Sequence, residues 1–330
     1  MKAIVLSKYG GPESLRLEDV EKPTPAEGEV LIRVVATAIN DYDWSLMRGK
    51  PYVYRLMFGI VSPKTKIPGM ELSGVVEALG ATSEKFKIGD AVYGDISDHG
   101  FGSFAEYICI SESCVELKPK SISFDIAASI PHASMLAVQG LIDLGCLQKK
   151  QRVLINGAGG GVGSYALYIA KSFDAEVTGV DTGVKLNKMT SMGFDHVIDF
   201  RQQDFTQNGQ KYDLILDAKT NRSIFRIIRS LSRGGRYISV GGDLNRLLVI
   251  VLLKRWISKF YGHTVEVVNL RANKDLTYIE NLYELGKIVP NIEGPYRMSD
   301  IPWLVQYFGE GKHTGKIVVN IERTEESLDL

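Results

Sequence analysis

The stretch VLINGAGGGVGSYALYIAKSF at residues 153–173 reads as a short aliphatic strand that breaks into glycines and then resumes with helical spacing. Such a turn gathers backbone N–H groups and a helix N-terminus at one point, which suits a diphosphate. The glycines fall at Gly157, Gly159, Gly160, Gly161 and Gly163, with Ala158 and Val162 among them. A G-x-G-x-x-G pattern begun at Gly157 fails on Val162, whereas A-x-x-G-x-G on Ala158, Gly161 and Gly163 holds. In that register Gly161 lets the backbone approach a pyrophosphate and Gly163 lets the helix pack on the strand. The run AEVTGVD follows as a second strand closing on Asp181, the place for a carboxylate that binds a ribose hydroxyl. The expectation is a dinucleotide site; an ordinary strand-to-helix loop accounts for the glycines but not for the strand and carboxylate after them.

Outward from this turn, strand and helix alternate. A helix pattern AASIPHASMLAVQGLIDLG precedes it, and HVIDF, YDLILDA, a helical segment at 222–231 and YISVGG follow, which predicts a parallel sheet covered on both faces. Residues 1–123 differ. KAIVLS, GEVLIRVVATAI, LSGVVEALG, DAVYGDI and FAEYICIS are short strands punctuated by Gly and Pro, the pattern of a barrel or sandwich. Near the C-terminus come helices in DLTYIENLYELGKI and IPWLVQYFGEG and a last strand, GKIVVNIE. That strand has no obvious place in the parallel sheet, so it is expected to return to the first domain. The division is therefore 1–123 completed by 270–330, and 124–269 for the dinucleotide.

At 330 residues and 45% hydrophobic content, the chain exceeds what one core usually holds. Lys plus Arg and Asp plus Glu balance at 39 each, with no block of like charge, which argues against nucleic acid as the main partner. The opening MKAIVLSKYG is not a signal region, and the apolar run LLVIVLL is too short to span a bilayer. A cytoplasmic protein without stable membrane insertion is expected, and three scattered cysteines make no disulfide framework.

Several segments together resemble the medium-chain dehydrogenase/reductases, and within them the zinc-free quinone oxidoreductases related to zeta-crystallin: the opening KAIVLSKYGGPESLRLEDVEKPTPAEGEVLIRVVATAIN, then AINDYDW, PGMELSGVVEALG, FKIGDAVYGD, GSFAEY, the glycine turn and HTGKIVV. The resemblance implies a GroES-like β-barrel catalytic domain beside a doubly wound Rossmann domain. It also implies hydride transfer from NAD(P)H to a quinone or α,β-unsaturated carbonyl. Asn40 stands where the zinc branch has a cysteine-bearing motif and Met70 where it has histidine, and no C-x-x-C cluster is present, so no zinc is expected. Without a Lewis acid to polarise an alkoxide, addition to an electrophilic acceptor is the natural chemistry.

In zinc-free relatives the segment matching residues 40–49 lines the substrate side of the nicotinamide, so Asn40 and Asp43 are expected beside the acceptor. Asn40 would donate to a carbonyl oxygen gaining charge, unless it only ends its strand; Asp43 would share the site or cap the next helix. Tyr52 and Tyr54 would supply a proton or close over a ring, or merely pack. On the cofactor side the resemblance adds Lys185 and Phe200, at the family's phosphate-binding lysine and tyrosine positions, and Val240, Gly241, Gly242, Gly315 and Lys316 near the nicotinamide. Asp181 repels a 2′-phosphate and favours NADH, while Lys185 leans toward NADPH; the balance falls to NADH. Leu136 and DAKTN at 217–221 depart from the family pattern and keep open a second function, a nucleotide-binding sensor or scaffold without turnover. The run at 245–263 is apolar with a basic end, so it either lies on lipid or, as the family implies, covers the cleft and a dimer seam. TVEVVNL would pair edge to edge in a homodimer.

Overall fold

The computed structural model describes residues 1–322. Among them the strands are β1 (Lys2–Leu6), β2 (Leu15–Asp19), β3 (Glu29–Ala38), β4 (Glu71–Leu79), β5 (Ala91–Asp95), β6 (Tyr107–Ser111), β7 (Glu116–Leu117), β8 (Arg152–Asn156), β9 (Glu176–Asp181), β10 (His196–Asp199), β11 (Tyr212–Asp217), β12 (Leu231–Ser239), β13 (Thr264–Val267), β14 (Ile292–Arg297) and β15 (Lys316–Asn320). The α-helices are α1 (Asp41–Arg48), α2 (Tyr54–Phe58), α3 (Phe124–Ser129), α4 (Pro131–Val138), α5 (Gly161–Lys171), α6 (Gly183–Met192), α7 (Ile224–Ser230), α8 (Leu244–Tyr261), α9 (Leu276–Glu284) and α10 (Ile301–Gly309). The chain divides into two compact units, one of Met1–His132, Ala272–Leu276 and Ile292–Leu330, the other of Ala133–Arg271 and Thr277–Asn291. Residues 124–132, assigned to the dinucleotide domain by the sequence pattern, fall in the first unit, where α3 packs on β3, β4 and β15.

In the first unit the strands run in the order β14-β15-β3-β4-β5-β7, with β6 pairing the other stretch of β3 and β1-β2 forming a separate hairpin. The last strand does return here: β15 lies antiparallel on β3, Val319 opposite Thr37. Its core is aliphatic, with Ile4, Val30, Ile32, Leu72, Val92, Ile301, Leu304, Ile317 and Val319 among the buried side chains.

The second unit holds one parallel sheet, ordered β10-β9-β8-β11-β12-β13. The chain starts in the middle at β8, runs outward through β9 and β10, then crosses back to β11 and continues the other way. The carboxyl ends of β8 and β11 therefore flank the switch point, where open α/β sheets bind ligands. The single helix expected at residues 127–145 is instead interrupted: Pro131 starts α4 afresh, since it has no N–H to continue α3, and Gln139–Leu144 widens into a π-helical turn. No helix among the described residues is long and apolar enough to cross a membrane.

Candidate active site

The glycine turn joins β8 to α5 at the switch point. Asn156, the last residue of β8, lies in register with Val180 on one side and Asp217 on the other. The amides of the turn divide into two groups. Gly157 and Ala158 donate to the Val180 carbonyl at 2.9 and 3.2 Å, Gly159 donates to Asp181 Oδ2 at 2.9 Å, and Gly160 donates to Gly157 at 3.3 Å. These four N–H groups are consumed in shaping the turn. The first amides of α5, from Gly161, Val162 and Gly163, have no acceptor within their own helix and mark the positive end of its dipole. A Cβ on Gly163 would lie 2.5 Å from both Cα and O of Ala158, so here the helix touches the turn that follows β8 backbone to backbone. The sequence assigned Gly163 this packing role.

Asp181 and Lys185 sit behind the turn. Both are buried, and the carboxylate accepts from the amides of Gly159 and Thr182 (2.9 and 2.8 Å) with the Lys185 ammonium 3.5 Å away. The Lys185 stem closes the space beside Gly159, where a Cβ would stand 2.6 Å from its Cδ. The two residues thus form a buried ion pair. The Phe200 amide donates to the Asp181 carbonyl at 3.1 Å while its ring packs on the core of the sheet.

Asp217 is the fully buried hub of the DAKTN loop. It accepts from Asn156 Nδ2 (2.8 Å), the amides of Lys219 and Thr220 (2.9 and 2.8 Å) and the Tyr237 hydroxyl (3.0 Å). Burial nonetheless raises its pKa above the usual carboxylate range, and the same burial, reinforced by Asp217, raises that of Tyr237. Thr220 passes the order on, bonding Ser239 at 2.6 Å and the Gly241 carbonyl, and the Val240 amide donates to Asp217 O at 3.0 Å. Gly242, at φ +116°, passes so close to Lys219 that a Cβ would meet its carbonyl oxygen at 2.2 Å. The altered loop is therefore an ordered support for residues 240–242.

In the first unit, Asn40 ends β3 and opens α1. Its backbone amide is taken by Asp43 Oδ2 at 2.9 Å, and Asp43 Oδ1 accepts from the Gly69 amide at 3.0 Å. Asp43, at the third helical position, thus completes a capping box with Asn40 at the N-cap, and burial pushes its carboxyl up to about 7 despite these two donors. The Asn40 side chain is fully engaged: Nδ2 donates to Ala38 O (3.2 Å) and Glu71 Oε1 (2.9 Å), and Oδ1 accepts from the Lys316 ammonium. The expectation that Asn40 donates to an acceptor carbonyl is corrected accordingly. Lys316 is 4% exposed, not a surface lysine, and also pairs with Glu71, itself 0% exposed, whose Oε2 takes the His132 amide at 3.0 Å. Gly315, before it, has φ +71°. An ammonium thus stands between Asn40 and Glu71; among the described residues no group of His, Cys, Asp and Glu is placed to hold a metal ion.

His132 extends this cluster. Nδ1 is 2.8 Å from the buried Asp95 carboxylate and Nε2 is 3.5 Å from Asp41. Burial alone would lower the imidazole pKa, but the two carboxylates outweigh it and raise it to about 10, so the ring is an imidazolium at neutral pH. The unfolded ring titrates near 6.5. The stabilisation is therefore complete below about pH 6.5 and is lost as pH rises toward about 10. The unfolding free energy from urea titration should fall across pH 7–9.5 by on the order of 1 kcal/mol per pH unit, and His132→Gln should flatten that slope. Equal slopes in the two proteins would refute the assignment.

Tyr52 lies 65% exposed, but Tyr54 joins a ring cluster that sequence reading missed. Tyr42 packs on Tyr54, Phe58 and Phe101 with centroids 6.2–6.4 Å apart, and Phe58 meets Phe101 edge-on at 5.6 Å. Burial first, then the charge of Asp41, pushes the Tyr42 phenol up to about 12, so it remains a neutral hydrogen-bond donor. Nothing local in the sequence ties Phe101 to Tyr42.

Two protein families match this chain: the alcohol dehydrogenase GroES-like domain over residues 26–120, and the zinc-binding dehydrogenase domain over residues 192–319. Relatives include the NADPH-dependent alkenal/one oxidoreductase of Arabidopsis thaliana, 32% identical over 97% of this chain and 79% of its own length. The 2-methylene-furan-3-one reductase of Solanum lycopersicum is 31% identical with the same coverage. Among solved structures, the quinone oxidoreductase from Coxiella burnetii superposes with a TM-score of 0.86 at 25% identity, covering 98% of this chain and 99% of that one. With a GroES-like unit, a Rossmann unit and relatives of this identity along nearly its whole length, the chain belongs to the medium-chain dehydrogenase/reductase superfamily, in its quinone oxidoreductase family.

Proposed function

We propose that this protein is a zinc-independent, NAD(P)H-dependent oxidoreductase that passes hydride to a quinone or an α,β-unsaturated carbonyl. The observation that carries the reading is the turn between β8 and α5, with its contact at Gly163 that no side chain could enter. A bound nicotinamide supplies the hydride. The amides of Gly161, Val162 and Gly163 hold the diphosphate, Asp181 and Lys185 meet the adenosine side, and residues 240–242 approach the nicotinamide end. On the acceptor side, Tyr42 donates a hydrogen bond to the carbonyl oxygen as negative charge gathers there, the rings of Tyr54 and Phe101 give a flat acceptor its orientation, and Tyr52 closes over it. Asn40 and Asp43 act as positioning residues through the end of β3 and the start of α1. A proton from solvent balances the hydride, giving hydroquinone or saturated carbonyl. The fixed ammonium of Lys316 supports a site that works without a metal. We further infer a cytoplasmic homodimer, paired through the open edge of β13.

The test is loss of reduced-nicotinamide absorbance with a panel of quinones and enones. Turnover with at least one acceptor is expected; tight cofactor binding without turnover on any would overturn the reading. We place NADH ahead of NADPH because of the carboxylate at the end of β9. Asp181→Ser should raise the NADPH-to-NADH efficiency ratio about tenfold, the equivalent of roughly 1.4 kcal/mol, since it leaves the Lys185 ammonium without that counter-charge. A clear NADPH preference in the unsubstituted protein would count against this order.

A further inference from the structure

Helix α8 presents to solvent what most helices bury. Ile250 and Ile257 face the sheet, with Leu247 and Leu253 partly buried beside them. The opposite face carries Leu252 at 78% and Phe260 at 63% exposure, with Leu248, Val251 and Trp256 also open to solvent. Trp256 gathers Phe260 and Tyr261 at 5.3 and 5.4 Å and meets Phe225 of α7 at 6.3 Å. Rings with a polar edge, such as Trp and Tyr, suit the boundary between headgroups and acyl chains. All the charges on α8 are basic: Arg246, Lys254, Arg255 and Lys259. Lys254 is paired with Glu266 at 2.7 Å, while Arg246, Arg255 and Lys259 are exposed. Beside the first turn of α8 lies a cleft of about 210 Å³, lined by Arg222, Ser223, Phe225, Arg246 and Val249. Arg222 is ion-paired with Asp204 at 3.4 Å, a partner that a lipid phosphate would have to share, while Arg246 has no ion pair of its own among those of the described residues.

We propose that the outward face of α8 docks on an anionic lipid surface, its apolar side chains entering the headgroup boundary and the Arg222–Arg246 cleft taking a lipid phosphate. Charge decides between occupants. A second copy related by a two-fold axis would set this basic face against the same face, with the capping carboxylate of Asp243 the only acid at the helix to answer Arg246, Arg255 and Lys259. A membrane bearing anionic lipid answers every one of them. Eighteen residues lying flat with one basic, aromatic-rich face need not cross the bilayer.

The test is co-sedimentation of the full chain with phosphatidylcholine vesicles, alone and with phosphatidylglycerol. Binding is expected only with the anionic lipid and should weaken steeply with added salt. Leu252→Glu/Phe260→Glu should abolish it, and Arg222→Gln/Arg246→Gln should weaken it by at least about tenfold, each charge near the surface counting for roughly fivefold. Both variants should keep the circular dichroism of the parent and its reduction of a water-soluble quinone, which separates failure of docking from failure of the proposed activity. Equal binding to neutral vesicles, or anionic binding unchanged by Leu252→Glu/Phe260→Glu, would overturn the proposal. So would a fall in solution mass for that variant by light scattering, which would make the face an interface between copies.

Discussion

Replacing Lys316 with Met should destabilise the first unit by about 3–5 kcal/mol, because it leaves Glu71 fully buried with no counter-charge. Glu71 would keep its bonds from Asn40 Nδ2 and the His132 amide, at 2.9 and 3.0 Å, but hydrogen bonds from neutral donors do not repay the desolvation of a carboxylate. Asn40 Oδ1 would lose its donor in the same stroke. The informative comparison is the double variant Lys316→Met/Glu71→Gln, which removes both charges and should recover at least half of the loss. Urea unfolding followed by near-ultraviolet circular dichroism, in a Trp256→Phe background, reads the first unit through Trp44 and Trp303. A single variant within about 1 kcal/mol of the parent would show that the ammonium is not what keeps Glu71 in place.

The second large effect is at the turn. Gly163→Val puts a branched side chain where a single Cβ already lies 2.5 Å from Ala158 Cα and O, and neither neighbour can yield without moving β8 or α5. Overpacking of this sort costs about 1–3 kcal/mol in stability. The greater loss should be in cofactor affinity, since displacing the first turn of α5 carries the amides of Gly161, Val162 and residue 163 away from the diphosphate. A misplacement of about 1 Å can cost on the order of a hundredfold, and a rise of that size in the Kd for reduced nicotinamide cofactor is expected from fluorescence titration. A Kd within threefold of the parent would dismiss the close contact as incidental.

The dinucleotide half was readable because its signals are local. Buried parallel strands such as VLI and LIL stand out as aliphatic runs, and the glycines punctuate the change of period within a few residues. The capping role of Asp43, weighed from its place just before the helix that follows, is local in the same sense. What escaped were pairings made by sheet closure. Asn40 meets Glu71 across 31 residues and Lys316 across 276, and no spacing rule reaches that far. Strand β2 was missed because LRLED buries only its first residue, which leaves charges where an alternating pattern would show. Strand β14 was missed because Gly294 and Pro295 read as a turn, although an edge strand with a register shift between Glu293 and Tyr296 tolerates both.

The antiparallel pairing of β15 with β3 has a consequence for how the molecule is made. A ribosome delivers β3, β4 and Glu71 long before it delivers β15 and Lys316. All the strands of the parallel sheet lie between them in the chain, so the second unit can assemble during synthesis while the first waits with an unpaired strand edge and an unmatched carboxylate. A fragment ending at residue 132 would hold that waiting state indefinitely, exposing the stretch of β3 around Thr37 to any other chain able to add a strand.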